Sequence, residues 1–287
     1  MIGPIRSLMF VPGSRPDRFE KAMNAGADAV VFDLEDAVEV SQKATARSHV
    51  AAFMGKPPVS ESIRVVRFNA VNTAAGEADL EFFGPRPEFD AVLLPKVETV
   101  GVVDLVTRIF VEHGRGRRVP LLLQIESSRA VLRAGDIAMA QAPIAALVFG
   151  TEDFTAQLGV PRTIDGEELL LARSQVVLAA AAAGVDAIDT VFTDVNDVET
   201  LRRDCERARG LGFRGKIAIH PRQVPVINDV FTPGAAELER AHKLIDAYET
   251  AAARGVGVTT LDGQMVELPI VERARRIVAL AAKYQGR

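Results

Sequence analysis

Three carboxylates stand within four residues at the end of an apolar run, in Val30-Val31-Phe32-Asp33-Leu34-Glu35-Asp36-Ala37-Val38. The run reads as a buried strand, and a single acid behind it would serve as the cap of a following helix. Three neighbouring acids repel one another, and burying them is costly unless a cation or hydrogen-bond donors compensate. Charged or polar side chains close later apolar runs too: Arg67 and Asn69, Lys96 and Glu98, Gln124 and Glu126, Glu152 and Asp153, Asp189, and His220. Taken singly, each has a bland explanation. Asp33 caps a helix, Lys96 pairs with Glu98 or Glu126, Asp189 ties down a loop, and His220, before Pro221, is a packed turn residue. Taken together, a rim of five or more carboxylates around Arg67 and Lys96 calls for a cation. With one cysteine and four histidines in the chain, its ligands have to be oxygen. Two or so carboxylates completed by water and substrate is the manner of Mg2+ or Mn2+.

The elements that would position this rim alternate. Apolar, β-branched runs at 7–11, 29–33, 63–68, 91–94, 120–125, 144–149, 187–190 and 217–219 read as strands. Helical patterns at 15–24, 41–53, 100–113, 167–183, 195–211 and 223–230 fill most of the gaps. Nearly continuous apolar strands suit a parallel sheet covered on both faces. Eight of them alternating with helices predict a (β/α)8 barrel, whose chemistry sits at the C-terminal ends of the strands. No Gly-x-Gly-x-x-Gly fingerprint follows an early strand, which argues against a dinucleotide fold. Past Phe231, a helix at 235–254, a glycine-containing strip at 255–269 and a final helix at 270–284 predict an extension outside the barrel. The division expected is a barrel domain at 1–232 and a helical extension and lid at 233–287.

The 287 residues are 48% hydrophobic and 25% charged with a net charge of −4, an ordinary globular composition with no general electrostatic attraction to nucleic acid or an anionic membrane. The one basic cluster, Arg115, Arg117 and Arg118, is interleaved with Gly114 and Gly116 and reads as a solvated loop. Cys205 is the only cysteine, so the chain has no internal disulfide, and the default for a thiol in a helix is inert burial. No apolar run reaches the roughly 20 residues of a membrane span. The first residues lack the layout of a secretory signal, so the expectation is a cytoplasmic protein.

A set of motifs in order carries a resemblance: RSLMFVPGSRPDRFEKA, DAVVFDLEDAV, VVRFNAVNTAAGEADL, LLPKVET, LLLQIESSRAV, LVFGTEDFTAQLG, AIDTVFTDVND and KIAIHPRQV. From about residue 5 to 281 the chain resembles the citrate lyase β-subunit-like proteins. These are grouped with malyl-CoA and citramalyl-CoA lyases and with the metal-dependent aldolases of the HpcH/HpaI superfamily. The resemblance implies a TIM barrel that binds Mg2+, with Mn2+ as an alternative, in a homotrimer or a hexamer. It implies Glu126 and Asp153 as metal ligands, with Glu126 also meeting substrate, and Glu35 and Asp36 as holders of the water around the metal. Arg67 corresponds to the residue that touches the acyl thioester carbonyl and the keto acid. The CoA arm would pass Arg15 and Lys21 on the first strand-to-helix loop, and the Ile219-His220-Pro221 segment.

The reaction implied is cleavage of a 3-hydroxy-3-carboxyacyl thioester, of the citramalyl-, malyl- or citryl-CoA kind, to acetyl-CoA or a short homologue and a 2-oxo acid, or the reverse condensation. The family's acid–base is an aspartate in a C-terminal G-x-M-V-D-x-P motif, supplied by a neighbouring subunit. Here the frame is Gly263-Gln264-Met265-Val266-Glu267-Leu268-Pro269, with glutamate in the aspartate's place. A carboxylate one methylene longer suits another substrate or slows turnover on the usual CoA esters, since a misplacement of about 1 Å costs on the order of 100-fold. Glu267 also has a plain reading as a lid residue outside the chemistry. Two alternatives stand beside the lyase: a metal-dependent aldolase acting on free hydroxy-oxo acids, and a non-catalytic or carrier-dependent subunit of a lyase complex. A Schiff base on Lys96 is disfavoured, because a lysine among carboxylates stays protonated.

Overall fold

The computed structural model describes residues 2–86, 88–114 and 116–284. Arg115 of the basic loop lies outside them. The chain divides after Asp229 into two compact units. In the first, eight parallel strands close into a barrel in sequence order: β1 (Ser7–Pro12), β2 (Ala29–Asp33), β3 (Ile63–Arg67), β4 (Ala91–Leu94), β5 (Leu121–Ile125), β6 (Ile144–Phe149), β7 (Asp186–Asp189) and β8 (Gly215–Ala218). Closure is by β8 on β1, with Ser7, Leu8 and Met9 opposite Lys216, Ile217 and Ala218.

Helices α1 (Phe19–Met23), α2 (Lys43–Met54), α3 (Ala74–Phe83), α4 (Val100–His113), α5 (Ser128–Leu132), α6 (Ala134–Ala138), α7 (Thr151–Leu158), α8 (Leu170–Ala183), α9 (Val198–Leu211) and α10 (Val224–Phe231) follow the strands. The (β/α)8 reading is borne out. The sequence pattern passed over α3 because Gly76 interrupts it. That glycine is required, since a Cβ there would stand 2.1 Å from the Ala70 carbonyl oxygen.

Strand side chains alternate between the two faces of the sheet. One face packs a single apolar cluster drawn from all eight strands, including Val31, Val65, Leu93, Leu122, Val148, Ile188 and Ile217. Two residues further along the same face come Asp33, Arg67, Gln124, Gly150 and Thr190. The interior is therefore apolar for most of its depth and polar at the C-terminal mouth. The opposite face meets the helices, where Phe32 packs edge-on against Phe19, with ring centroids 4.9 Å apart.

The second unit holds α11 (Ala235–Ala252), the antiparallel hairpin of β9 (Thr259–Leu261) and β10 (Gln264–Val266), and α12 (Leu268–Tyr284). Asp262 and Gly263 turn the hairpin at φ 50° and 75°, the pair of left-handed residues a two-residue loop needs. Among the described residues no helix is long and apolar enough to cross a membrane.

Candidate active site

At the barrel mouth the acids of the opening motif meet Arg67. Asp33 accepts two hydrogen bonds from its guanidinium, at 2.6 Å from Nε and 2.7 Å from Nη2. The third nitrogen, Nη1, lies 2.8 Å from Glu35 and 3.4 Å from Asp36. Phe10 covers the guanidinium, its ring centre 5.2 Å away. A fork held on Asp33 is more exactingly placed than an ammonium would be.

Lys96 brings the second cation. Its ammonium lies 3.0 Å from Glu35, 3.6 Å from Asp153 and 3.7 Å from Asp36. Its backbone N–H donates to Glu126 Oε1 at 2.7 Å. The Gln124 amide holds the other Glu126 oxygen. Gly150 makes room for this pair, since a Cβ there would come within 2.7 Å of the Glu126 carboxylate. Asp153, on the first turn of α7, has an oxygen, Oδ2, that is shielded from solvent and accepts no hydrogen bond among the described residues.

Burial dominates the titration of the two inner glutamates. It pushes Glu35 up to about 7, with Asp36 adding to the rise and Arg67 and Lys96 opposing it. It pushes Glu126 up to about 8, reinforced by Glu35 and Asp153 and opposed by the Lys96 N–H and Arg67. For Lys96 burial acts downward, but Glu35, Asp36 and Asp153 more than reverse it and the ammonium is held above its ordinary value. A protonated Lys96 is no amine nucleophile.

Two cavities adjoin at this point. One, of about 490 Å3, lies over the barrel interior and is lined by Phe10, Asp33, Arg67, Gln124, Glu126 and Asp153, with Arg18 at its edge. The other, of about 860 Å3, extends over the loops after β2 to β5 past Lys43, Asn69, Lys96 and Ser127. Both are bordered by Asp36, Glu126 and Asp153.

A hydrogen-bonded brace, unforeseen in the sequence, fastens the acidic loop. The Lys43 ammonium donates to the carbonyls of Leu34 at 2.9 Å and Glu35 at 3.0 Å, and to Asn69 Oδ1 at 2.5 Å. Asn69 donates in turn to buried Asp79 at 2.7 Å, and Arg47 holds the other Asp79 oxygen at 2.7 Å. With its three hydrogens committed, Lys43 shapes the loop rather than offering a donor to a ligand.

The remaining rim residues separate. Arg15 is exposed and bonded to Asp17 at 2.8 and 2.9 Å, and Lys21 is exposed; neither borders the two cavities, whereas Arg18 does. Glu98 is tied to Ser127 at 2.7 Å and Glu152 to Arg162 at 2.8 Å. His220 caps the turn behind β8, its Nδ1 accepting from the Arg222 N–H at 3.2 Å. Asp189 is a correction to the rim. Its neighbour Ile188 belongs to the interior cluster, so Asp189 points to the helix side, where Arg173 and Lys216 bind it. Glu267, at the end of the hairpin, is partly exposed, and its carbonyl accepts from Ile270 and Val271 at the start of α12.

The donor set suits a hard divalent ion. Glu126 and Asp153 both offer carboxylate oxygens, Asp153 Oδ2 meets only the Lys96 ammonium at 3.6 Å, beyond hydrogen-bond distance, and the carboxylates outnumber the nearby cations. Among the described residues no group of three or more His, Cys, Asp or Glu side chains is placed to hold a metal ion by itself. An open pair leaves positions for water and substrate, as Mg2+ sites commonly do.

The model of the HpcH/HpaI aldolase/citrate lyase family matches residues 6–221. The chain is 38% identical over 281 residues to the citrate lyase subunit beta of Leuconostoc mesenteroides, covering 96% of this chain and 93% of the relative. It is 36% identical over 278 residues to the (3S)-malyl-CoA thioesterase of Cereibacter sphaeroides, covering 97% and 95%. Among solved structures, CitE of Mycobacterium tuberculosis in complex with magnesium, acetoacetate and coenzyme A aligns with a TM-score of 0.81 at 32% identity, over 98% of this chain and 100% of that one.

Proposed function

We propose, from the premise that the chain belongs to the HpcH/HpaI aldolase/citrate lyase family, that its barrel mouth is a Mg2+-dependent carbon–carbon lyase site. The substrate is a 3-hydroxy-3-carboxyacyl thioester carried on CoA or on a carrier protein, worked on in the cytoplasm. The observation that carries this reading is the convergence of Glu126, Asp153 and Arg67 on one cavity, with a shielded Asp153 oxygen that accepts no hydrogen bond and has only the Lys96 ammonium, 3.6 Å away, beside it.

Glu126 and Asp153 would hold the Mg2+, and Mn2+ fits the same ligands. When bound, the ion supplies Lewis acidity toward the substrate's hydroxyl and carboxylate. Glu35 and Asp36, turned toward the same point by Arg67 and Lys96, would order the surrounding water. Cleavage moves charge onto the thioester oxygen as an enolate. Arg67, held on Asp33, supplies a fixed positive charge there, worth about 3–4 kcal/mol by analogy with an oxyanion-hole donor. Glu267 would take the hydroxyl proton and return it to the enolate carbon.

Residues 233–287 serve in this reading as a lid, and Val258, Met265 and Leu268, in and beside its hairpin, are between 46% and 54% exposed. A homotrimer or hexamer would cover that apolar surface, and also Leu170, Leu171 and Leu178, which α8 exposes at 51%, 78% and 70%. Mixing inactive Arg67→Ala and Glu267→Gln subunits should then restore part of the activity. No recovery despite confirmed subunit exchange would put Glu267 in its own subunit's site or outside the chemistry.

The substrate test is a panel of malyl-, methylmalyl-, citramalyl- and citryl-thioesters, on CoA and on a carrier, with Mg2+ and detection of the 2-oxo acid. Release of free thiol without a 2-oxo acid would mean thioester hydrolysis, the reaction named for the Cereibacter relative. Cleavage of free hydroxy-oxo acids alone would favour the aldolase. Inertness toward the whole panel would leave a binding subunit.

A further inference from the structure

Lys96 is one of two non-glycine residues at positive φ among those described, and the other turns the hairpin. Its φ of 53° is a strained backbone conformation for a residue with a Cβ, and such strain persists where surrounding contacts enforce it. Here the strain aims two groups of one residue at the acids. The N–H turns to Glu126, 2.7 Å away. The side chain doubles back over Glu35, Asp36 and Asp153. The two rim cations differ in freedom. Arg67 is buried and fastened at two nitrogens by Asp33, whereas the Lys96 side chain is 44% exposed and borders the larger cavity, into which it can withdraw.

We propose that Lys96 is a tethered counter-cation: its ammonium neutralises the acidic rim in the metal-free protein and competes with the divalent ion for Asp153, so that it sets the metal affinity. The inference rests on reading Glu126 and Asp153 as the metal's ligands. A dication bound at Asp153 Oδ2 lies a few ångströms from a positive charge that stands 3.6 Å from the same oxygen. That repulsion weakens binding unless the ammonium moves away. Without the ammonium, Glu35, Asp36 and Asp153 lose a partner, which destabilises the metal-free state and increases what the metal restores.

Calorimetric titration of chelator-stripped protein with Mg2+, beside thermal melts with and without Mg2+, tests this in wild type, Lys96→Met, Lys96→Gly and Lys96→Arg. Met and Gly both remove the charge, and Gly alone also relieves the backbone strain. Both should raise the Mg2+ affinity by about tenfold or more, and Met should lower the metal-free melting temperature, the deficit closing at saturating Mg2+, while relief of strain offsets that loss in Gly. Arg, which keeps the charge, should stay within about threefold of wild type. Unchanged or weaker affinity in both Met and Gly, while Asp153→Asn still abolishes binding, would overturn the proposal and leave the metal site standing. A rise in Gly alone would also overturn it, making strain the cause. If the wild type takes up no Mg2+, the metal reading itself has failed and the competition falls with it.

Discussion

Two of the charge clusters among the described residues are built to opposite plans. In the wall between the barrel and its helices, Arg173 of α8 and Lys216 of β8 face Asp189 of β7 and Asp204 of α9. Arg173 donates to Asp189 at 2.9 Å and to Asp204 at 3.0 Å, and Lys216 lies 2.6 Å from Asp189 and 2.7 Å from Asp204. Two cations meet two anions. Burial acts to raise both carboxyl pKa values, but Lys216 and Arg173 overcome it and hold them below the usual range. At the mouth, five carboxylates, Asp33, Glu35, Asp36, Glu126 and Asp153, gather round Arg67 and Lys96, with Arg18 bordering the same cavity, and there burial wins for the two glutamates, with Glu35 pushed up to about 7 and Glu126 to about 8. The desolvation cost is common to both clusters; the charge balance differs. A neutral, fully paired cluster specifies structure, whereas one in which carboxylates outnumber cations fits the positive guest proposed above.

The sharpest way to break this contrast is to neutralise one group in each cluster. Glu126→Gln or Asp153→Asn should abolish Mg2+ binding and Mg2+-dependent turnover while leaving the metal-free melting temperature unchanged or higher, since each relieves repulsion. Calorimetry showing wild-type Mg2+ affinity in both variants would remove them as ligands. Lys216→Met should do the reverse. It leaves Asp189 and Asp204 to share Arg173 alone, one buried anion in excess, costs about 3–5 kcal/mol of folding stability, and leaves the Mg2+ affinity of the folded fraction as it was. Denaturant unfolding with a cost below about 1 kcal/mol would mean that the wall relaxes around the missing charge.

The same contrast explains what could be read from the sequence. The eight strands were legible because parallel strands buried on both faces are nearly all apolar, and the gathering of Glu126, Asp153 and Arg67 at the barrel mouth was legible through motifs at the ends of those strands. That uniformity hides which face a residue occupies. Asp189 ends its strand just as Asp33 does, but it is out of phase with Ile188 of the interior, whereas Asp33 is in phase with Val31. Asp33 and Asp189 were therefore indistinguishable until the register was known. The Lys43–Asn69–Asp79–Arg47 brace escaped notice because its bonds span 26, 10 and 32 residues, and none has a local signature. Arg18 rather than Arg15 borders the cavity because Arg15 is committed to Asp17.

Acid should separate the wall from its variants more gently. Asp204 is held below its ordinary value in the folded protein, so the stability it contributes is present above the unfolded pKa of about 3.9 and is lost as pH falls through the folded one. Asp204→Asn removes a titrating group. Its melting temperature should lie below wild type at pH 6, and the difference should narrow as pH falls below about 4. A difference that stays constant or widens toward acid would mean that Asp204 acts through shape rather than charge.

Cys205 gives the smallest expected effect and the cleanest reading of the wall's rigidity. It lies on α9 next to Asp204, is fully buried, and has its thiol pushed up to about 12, chiefly by burial, with Lys216 opposing and Asp204 adding. A thiol so shielded forms almost no thiolate at pH 8 and is out of reach of reagents. Native protein should therefore show no labelling by iodoacetamide while it remains folded. Labelling should appear only with global unfolding, so that its denaturant dependence follows the loss of helical signal in wild type and begins earlier in Lys216→Met. Rapid labelling of the folded wild type would mean that α9 opens away from β7 and β8 without global unfolding. The wall would then be a locally yielding cluster, and its balance of charge would not be what keeps it closed.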